Sequence, residues 1–241
     1  MDGDNIMSQK LSVFRNERKY IVTHDDALSI KSKFDRLLMR DEHAETFGYI
    51  VRSLYFDSVN NEDYMTKLAG TEIRKKIRIR TYSPDSDSCK LEAKLKNGDL
   101  QHKVSLWITK GEAYELCRCN YSVLIKYFSE SEDAMRIYMW MVEGCYRPVV
   151  LIEYDRIAYT FPLYNTRLTI DMNIRSSESN LDLFSEDPMY IMVQNNVHVL
   201  EVKYNEKLMK FISDVLKQYN LTQCSVSKYC MGRKIFQDFI F

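Results

Sequence analysis

The sequence predicts an α+β fold, an antiparallel β-barrel whose bore is lined with cations and whose helices pack outside. Three observations carry this expectation. In Glu72-Ile73-Arg74-Lys75-Lys76-Ile77-Arg78-Ile79-Arg80, strand alternation places Glu72, Arg74, Lys76, Arg78 and Arg80 on one face and Ile73, Ile77 and Ile79 on the other. The same alternation recurs in strands scattered along the chain. Asn97-Gly98 then joins two such strands as a two-residue hairpin. Repetition of a cationic face implies a second, polar interior filled by a multiply charged anion. Periodicity alone fits equally well a flat sheet with its basic face in water.

The elements follow in order. Ser12 to Thr23 alternates Val13, Arg15, Glu17 and Lys19 with Phe14, Tyr20 and Val22. Thr23 caps a helix of about 18 residues, with Asp25 and Asp26 in its first turn and Leu28, Phe34, Leu37 and Leu38 as its apolar stripe. Tyr49 to Asp57 is a strand, and residues 60–68 form a short helix ended by Gly70. In the hairpin, Lys90, Glu92, Lys94 and Lys96 alternate with Cys89, Leu91, Ala93 and Leu95. The turn pairs Lys96 with Asp99, Lys94 with Gln101 and Glu92 with Lys103, so Lys103 shares the face of Glu92 and Lys94.

Residues 109–143 turn helical, with Ala134, Ile137, Tyr138 and Met141 at i, i+3, i+4 and i+7. Residues 149–159 form a strand of ambiguous parity. Arg167, Thr169, Asp171 and Asn173 alternate with Leu168, Ile170 and Met172, while Val199, Glu201 and Lys203 share a face. Residues 206–219 and 227–236 close the chain as helices. Met135, Met139, Met141, Trp107 and Trp140 read as packing residues.

The 241 residues carry 34 basic and 34 acidic side chains, a balance that excludes a basic nucleic-acid binder by composition. No repeat or Pro/Gly-rich linker divides the chain, so 1–241 reads as one domain. Six irregularly spaced cysteines read as reduced thiols, and no segment reads as a leader or membrane span, so the expected location is cytoplasmic.

The shared faces collect Lys19, Arg74, Lys76, Arg78, Arg80, Lys94, Lys103, Arg167 and Lys203, with Glu17, Glu92 and Glu201 among them. Burying such a set without an anion is prohibitive. Arginine forks and lysine ammoniums suit phosphate oxygens. The glutamates are candidate ligands for Mg²⁺ or Mn²⁺, and simple ion pairing serves Glu17 and Glu92 as well. His24, His43 and His102 read as structural or solvated, and no Ser, Cys or His nucleophile is suggested.

Eight short motifs occur in order: Glu17-Arg-Lys19-Tyr20, Ser53-Leu-Tyr55-Phe56-Asp57, Arg78-Ile-Arg80-Thr-Tyr82, Leu91-Glu92-Ala-Lys94, Tyr154-Asp-Arg156-Ile-Ala-Tyr159, Arg167-Leu-Thr-Ile-Asp171, Leu200-Glu201-Val-Lys203 and Ser227-Lys228-Tyr229. Over about residues 12–235 the chain resembles the catalytic domain of the vacuolar transporter chaperone (VTC) polyphosphate polymerases, within the CYTH or triphosphate tunnel superfamily. The resemblance implies a closed eight-stranded antiparallel tunnel and transfer of the ATP γ-phosphate onto inorganic polyphosphate. By that likeness Lys19, Arg78, Arg80, Lys94, Arg156, Arg167, Lys203 and Lys228 hold phosphates. Tyr154 and Ser227 add hydrogen bonds, Glu201 binds the divalent metal, and Tyr154 and Arg156 turn inward. Two departures stand out: Arg15 replaces the first acid of the superfamily's N-terminal ExExK signature, and Ser225 replaces a frequent family lysine.

The polymerase is the leading expectation. A metal-dependent tripolyphosphatase or nucleoside triphosphatase of the same fold is the second, and a non-catalytic polyphosphate-binding module the third. Ile235-Phe236 and Phe239-Ile240-Phe241 either dock on the domain or meet a membrane partner that receives the polymer.

Overall fold

The computed structural model describes residues 15–41, 48–98 and 100–237. Alternation along Arg15–Thr23 forms β1. The Thr23 hydroxyl accepts from the Asp26 amide at 3.2 Å and turns the chain into α1 (His24–Leu37), with Asp25 and Asp26 set against the helix dipole. Next come β2 (Met39–Arg40) and β3 (Tyr49–Asp57). The helix α2 (Glu62–Ala69) starts where the Asp57 carboxylate accepts from the amides of Asp63 and Tyr64, at 2.9 and 3.0 Å. Then follow β4 (Ile73–Thr81), β5 (Ser88–Asn97) and β6 (Leu100–Thr109). A capping box between Thr109 and Glu112 opens α3 (Lys110–Cys117). After a 3₁₀ segment at Tyr121–Tyr127 come α4 (Glu132–Glu143), β7 (Arg147–Phe161), β8 (Thr166–Ser177), β9 (Ile191–Met192), β10 (Val197–Asn205), α5 (Lys210–Leu216) and α6 (Lys228–Gln237).

All strands belong to one sheet in the order β1-β10-β8-β7-β3-β4-β5-β6, with β2 beside β7 and β9 beside β8, and every pairing is antiparallel. The sheet curls until Glu17 on β1 lies 3.7 Å from Lys94 on β5, although β10, β8, β7, β3 and β4 separate them in the ladder. Among the described residues no ladder joins β1 to β6. Residues 223–224 run along β1 instead, with a Tyr20–Gln223 bridge and the Cys224 amide donating to the Lys19 carbonyl at 2.9 Å. At this seam Glu17 and Lys94 draw the barrel together among the described residues, with residues 223–224 lying beside β1.

Both faces of β4 are covered, which removes the flat-sheet reading. Ile77 and Ile79 are buried against Leu116, Ile137 and Met141 of α3 and α4, while Arg80 on the opposite face is also buried. A second apolar layer packs Ile30 and Phe34 of α1 and Ile212 of α5 on Ile157, Leu168 and Leu200. Each such side chain contributes about 1.5–3 kcal/mol by leaving water. These layers turn the apolar faces outward to the helices and leave the charged faces inward.

Several local expectations are corrected. The stripe of α1 is Ala27, Ile30 and Phe34; Leu28 and Leu37 are exposed because the sheet lies on the other side of the helix. The hairpin ladder pairs Asn97 with Leu100, Lys96 with Gln101 and Lys94 with Lys103, two residues out of the expected register. The chain leaves the ladder at Gly98, whose φ is +59° and so favours glycine, rather than at Asn97. An even shift preserves the faces. Asp99, the expected partner of Lys96, lies outside the described residues, as do Val13, Phe14, His43 and Phe239-Ile240-Phe241. The 109–143 stretch breaks into three segments, and α4 buries Ala134, Ile137 and Met141 but leaves Met135 and Met139 exposed. Trp107 is exposed as well, because it falls on the charged face of β6. All six cysteines are free. Among the described residues no helix is long and apolar enough to cross a membrane.

Candidate active site

The inward faces assemble three groups, each built on a carboxylate. On β5, Glu92 receives Arg78 at 2.6 Å, Lys103 at 2.5 Å and Arg80 at 3.7 Å. Burial works to raise the Glu92 pKa, but Arg78, Arg80 and Lys103 outweigh it and hold it at about 2. On β8, Asp171 is fully buried; it accepts two hydrogen bonds from Arg156 and pairs with Lys228 of α6 at 2.6 Å. Its pKa also falls to about 2, against the opposing effect of burial, because Arg156 and Lys228 face it.

The third group joins β1 and β10. The Lys19 ammonium lies 2.9 Å from Glu17 and 3.3 Å from Glu201, Lys203 pairs with Glu201, and Lys94 and Lys203 flank Glu17 at 3.7 and 3.9 Å. Burial opposes ionisation of Glu201, yet Lys19 and Lys203 keep its carboxyl well below the usual range.

Hydroxyls fill the gaps between these groups. Arg78 donates to Tyr55 Oη at 2.9 Å, and Arg80 reaches Ser53 Oγ and Tyr154 Oη, each at 3.4 Å. Arg156 and Lys228 lie over the Tyr154 ring, at 5.2 and 4.7 Å from its centre. Lys76 donates to Ser227 Oγ at 3.0 Å. Burial, reinforced by neighbouring cations, lowers Lys76 to about 8; Tyr55 reaches about 8 because Arg78, Lys76 and Arg80 overcome its burial.

At one end α6 fills part of the bore. Tyr229 stacks on Tyr55 with ring centres 5.2 Å apart, and a Cβ added at Gly232 would come within 2.9 Å of Ile152 Cδ1. Beside α6 a cavity of about 470 Å³ remains, lined by Lys19, Lys67, Arg74, Lys94, Lys96 and Ser225 among others. Ser225, the position read as lacking a lysine, accepts from Lys67 of α2 at 2.8 Å, so an ammonium reaches it from another element.

The structure therefore brings together Lys19, Lys76, Arg78, Arg80, Lys94, Lys103, Tyr154, Arg156, Glu201, Lys203, Ser227 and Lys228. Arg74 lines the cavity at the α6 end. Arg167 stands apart at the rim, 42% exposed and held by Asp41 at 2.6 Å and Tyr49 Oη at 3.3 Å. Sequence reasoning missed Asp171 as the acid that orients Arg156 and Lys228, although it shares the parity of Arg167 and Thr169. It also missed Lys67, which stands on a helix and follows no strand alternation.

Each buried acid serves two or three cations, so the bore carries surplus positive charge and many donors with few acceptors. That arrangement suits a chain of phosphates. Among the described residues no group of three or more His, Cys, Asp or Glu could hold a metal by itself. Glu17 and Glu201 share Lys19 on neighbouring strands, and such a pair fits a hard cation that arrives with phosphate oxygens.

The VTC domain family matches residues 14–237. No curated protein matches the chain. A solved protein from Hippeastrum, described as a candidate adenylyl cyclase with a dominant triphosphatase activity, aligns with a TM-score of 0.53 at 12% identity, over 92% of this chain and 96% of its own. A candidate adenylate cyclase from Bacillus halodurans aligns with a TM-score of 0.49 at 15% identity, over 93% and 96%. The Hippeastrum alignment shows a shared fold.

Proposed function

Because the chain belongs to the VTC domain family, we propose that it is a polyphosphate polymerase, moving the γ-phosphate of ATP onto the end of an inorganic polyphosphate chain. The surplus of inward cations around Glu92, Asp171 and Glu201 is the observation that carries this reading. Phosphoryl transfer asks the protein mainly for in-line positioning and for positive charge where oxygens gain negative charge. Arg78, Arg80, Arg156 and Lys228 hold the phosphates in register, with Tyr154 and Ser227 donating hydrogen bonds. Lys19, Lys94 and Lys203 meet the reacting end, and Arg74, Lys76 and Lys103 guide the polymer. Arg167 serves at the rim. The terminal phosphate of the polymer is itself the nucleophile, so no side-chain nucleophile is needed. Glu201, with Glu17 beside it, would hold Mn²⁺ or Mg²⁺, which supplies charge neutralisation at the phosphate oxygens.

The test is to incubate purified protein with ATP and Mn²⁺ and resolve the products on a gel. A ladder of polyphosphate supports the polymerase. Free phosphate alone supports the second reading, a triphosphatase, which the Hippeastrum fold neighbour favours. Binding of polyphosphate without turnover would leave a binding module.

A further inference from the structure

The end of the bore away from α6 carries large aromatic rings in water. Trp107 is 57% exposed and Tyr82, just past β4, is 50% exposed. Trp107 follows Lys103 and Ser105 on the charged face of β6. Lys103 pairs with Glu92, Ser105 stands opposite Glu92, and Trp107 stands opposite Lys90. The Lys90 ammonium lies 4.8 Å from the Trp107 ring centre. Tyr82 meets Tyr49 edge-on at 5.8 Å, and Tyr49 accepts from the rim arginine Arg167. Lys90 in turn sits opposite Arg80 in the ladder, and Tyr82 follows Arg80 by two residues, so both exposed rings lie at the Arg80 end of their strands.

A single exposed aromatic needs no explanation, but two on the rim of a phosphate-binding bore do. An apolar partner would not suit a rim that also holds Lys90 and Arg167. A planar ring tethered to a phosphate chain suits it well. Trp107 is two residues, about 7 Å along the strand, from Ser105 opposite Glu92. That offset is within the reach of a ribose. The opening beside α6, lined by Lys67, Arg74 and Lys96, has no aromatic side chain in its lining among the described residues.

We propose that Trp107 and Tyr82 form a nucleobase platform that recognises the donor as a nucleoside triphosphate, while its phosphates run inward to Arg80 and Arg78. This rests on the phosphate-binding reading of the bore and adds the specificity element. The platform gives the two ends different roles: the donor enters at the aromatic rim, and the polymer, which has no base, occupies the basic opening beside α6. Stacking tolerates any base, so the platform separates nucleotides from bare polyphosphate more strongly than one base from another.

The experiment compares ATP with inorganic tripolyphosphate. The chain has two tryptophans, so Trp140→Phe leaves Trp107 as the sole reporter. ATP should change Trp107 emission, and tripolyphosphate should bind calorimetrically with little such change. Trp107→Ala and Tyr82→Ala should each weaken ATP about tenfold and leave tripolyphosphate within about twofold. Tripolyphosphate binding with ATP affinity unaltered in both variants overturns the platform and leaves the bore reading intact. Equal weakening of both ligands also overturns the platform. Failure of tripolyphosphate to bind overturns both, and failure of ATP alone overturns the platform.

Discussion

Arg156 and Asp171 face each other across β7 and β8 through two parallel hydrogen bonds, Nε to Oδ1 at 2.7 Å and Nη2 to Oδ2 at 2.8 Å, and the carboxylate is closed off from water. The same carboxylate holds Lys228 at 2.6 Å, and so ties α6 to the barrel wall. One buried acid thereby sets the position of two cations from distant parts of the chain.

Removing that acid should expose its cost. Asp171→Asn leaves Arg156 and Lys228, both largely shielded from water, without that counter-charge, a change worth about 3 kcal/mol of stability. Added tripolyphosphate should restore part of the loss, because Arg156 and Lys228 freed of their carboxylate bind the anion more tightly than in the wild type, and ligand stabilises the folded protein in proportion to its affinity. Thermal melts with and without tripolyphosphate check this; an equal loss in both would contradict it.

Acid should act on the same groups. Asp171 and Glu92 are held at about 2, below the ordinary carboxyl range, by the cations that face them. Their stabilising contribution is full above about pH 4.5 and is lost as pH falls towards 2. Denaturant melts across this window should show stability falling with pH, and Asp171→Asn should flatten the slope.

Alkali should weaken anion binding. Lys76 and Tyr55 adjoin and are both shifted to about 8, so the pair as a unit loses positive charge as pH rises through 8, which disfavours phosphate. Tripolyphosphate affinity should drop about tenfold between pH 7 and 9.5, and Lys76→Arg with Tyr55→Phe should remove most of the step. Calorimetry across that range measures it.

Much of this arrangement was legible in the chain because β-strands impose a period of two. Glu92, Lys94 and Lys103 share a face in the structure as alternation required, even though the hairpin register slipped by two at Gly98. The curl of the sheet was less accessible: Glu17 meets Lys94 only through the accumulated twist of the strands between them. Lys67 and Asp41 reach the site from outside the main barrel strands, where no two-residue period marks them. Leu28 and Leu37 misled because an apolar helix stripe does not reveal which side the sheet takes.

Metal dependence should separate Glu201 from Arg78. Glu201→Ala should abolish turnover while retaining polyphosphate binding, since it removes a carboxylate from a cationic bore. Arg78→Ala should weaken binding by about tenfold or more and lower turnover with it. Chelation by EDTA should mimic Glu201→Ala. Paired binding and product assays decide this, and a fully active Glu201→Ala protein would contradict the role given to Glu201.

The central claim is that cations from β1, β4, β5, β7, β10 and α6 converge on one chain of phosphates. A crystal structure with inorganic tripolyphosphate tests it most directly. The expected result is a phosphate chain inside the bore, within hydrogen-bond distance of Arg78, Arg80, Arg156 and Lys228. Phosphate density confined to the outer surface, with those four side chains untouched, would contradict it.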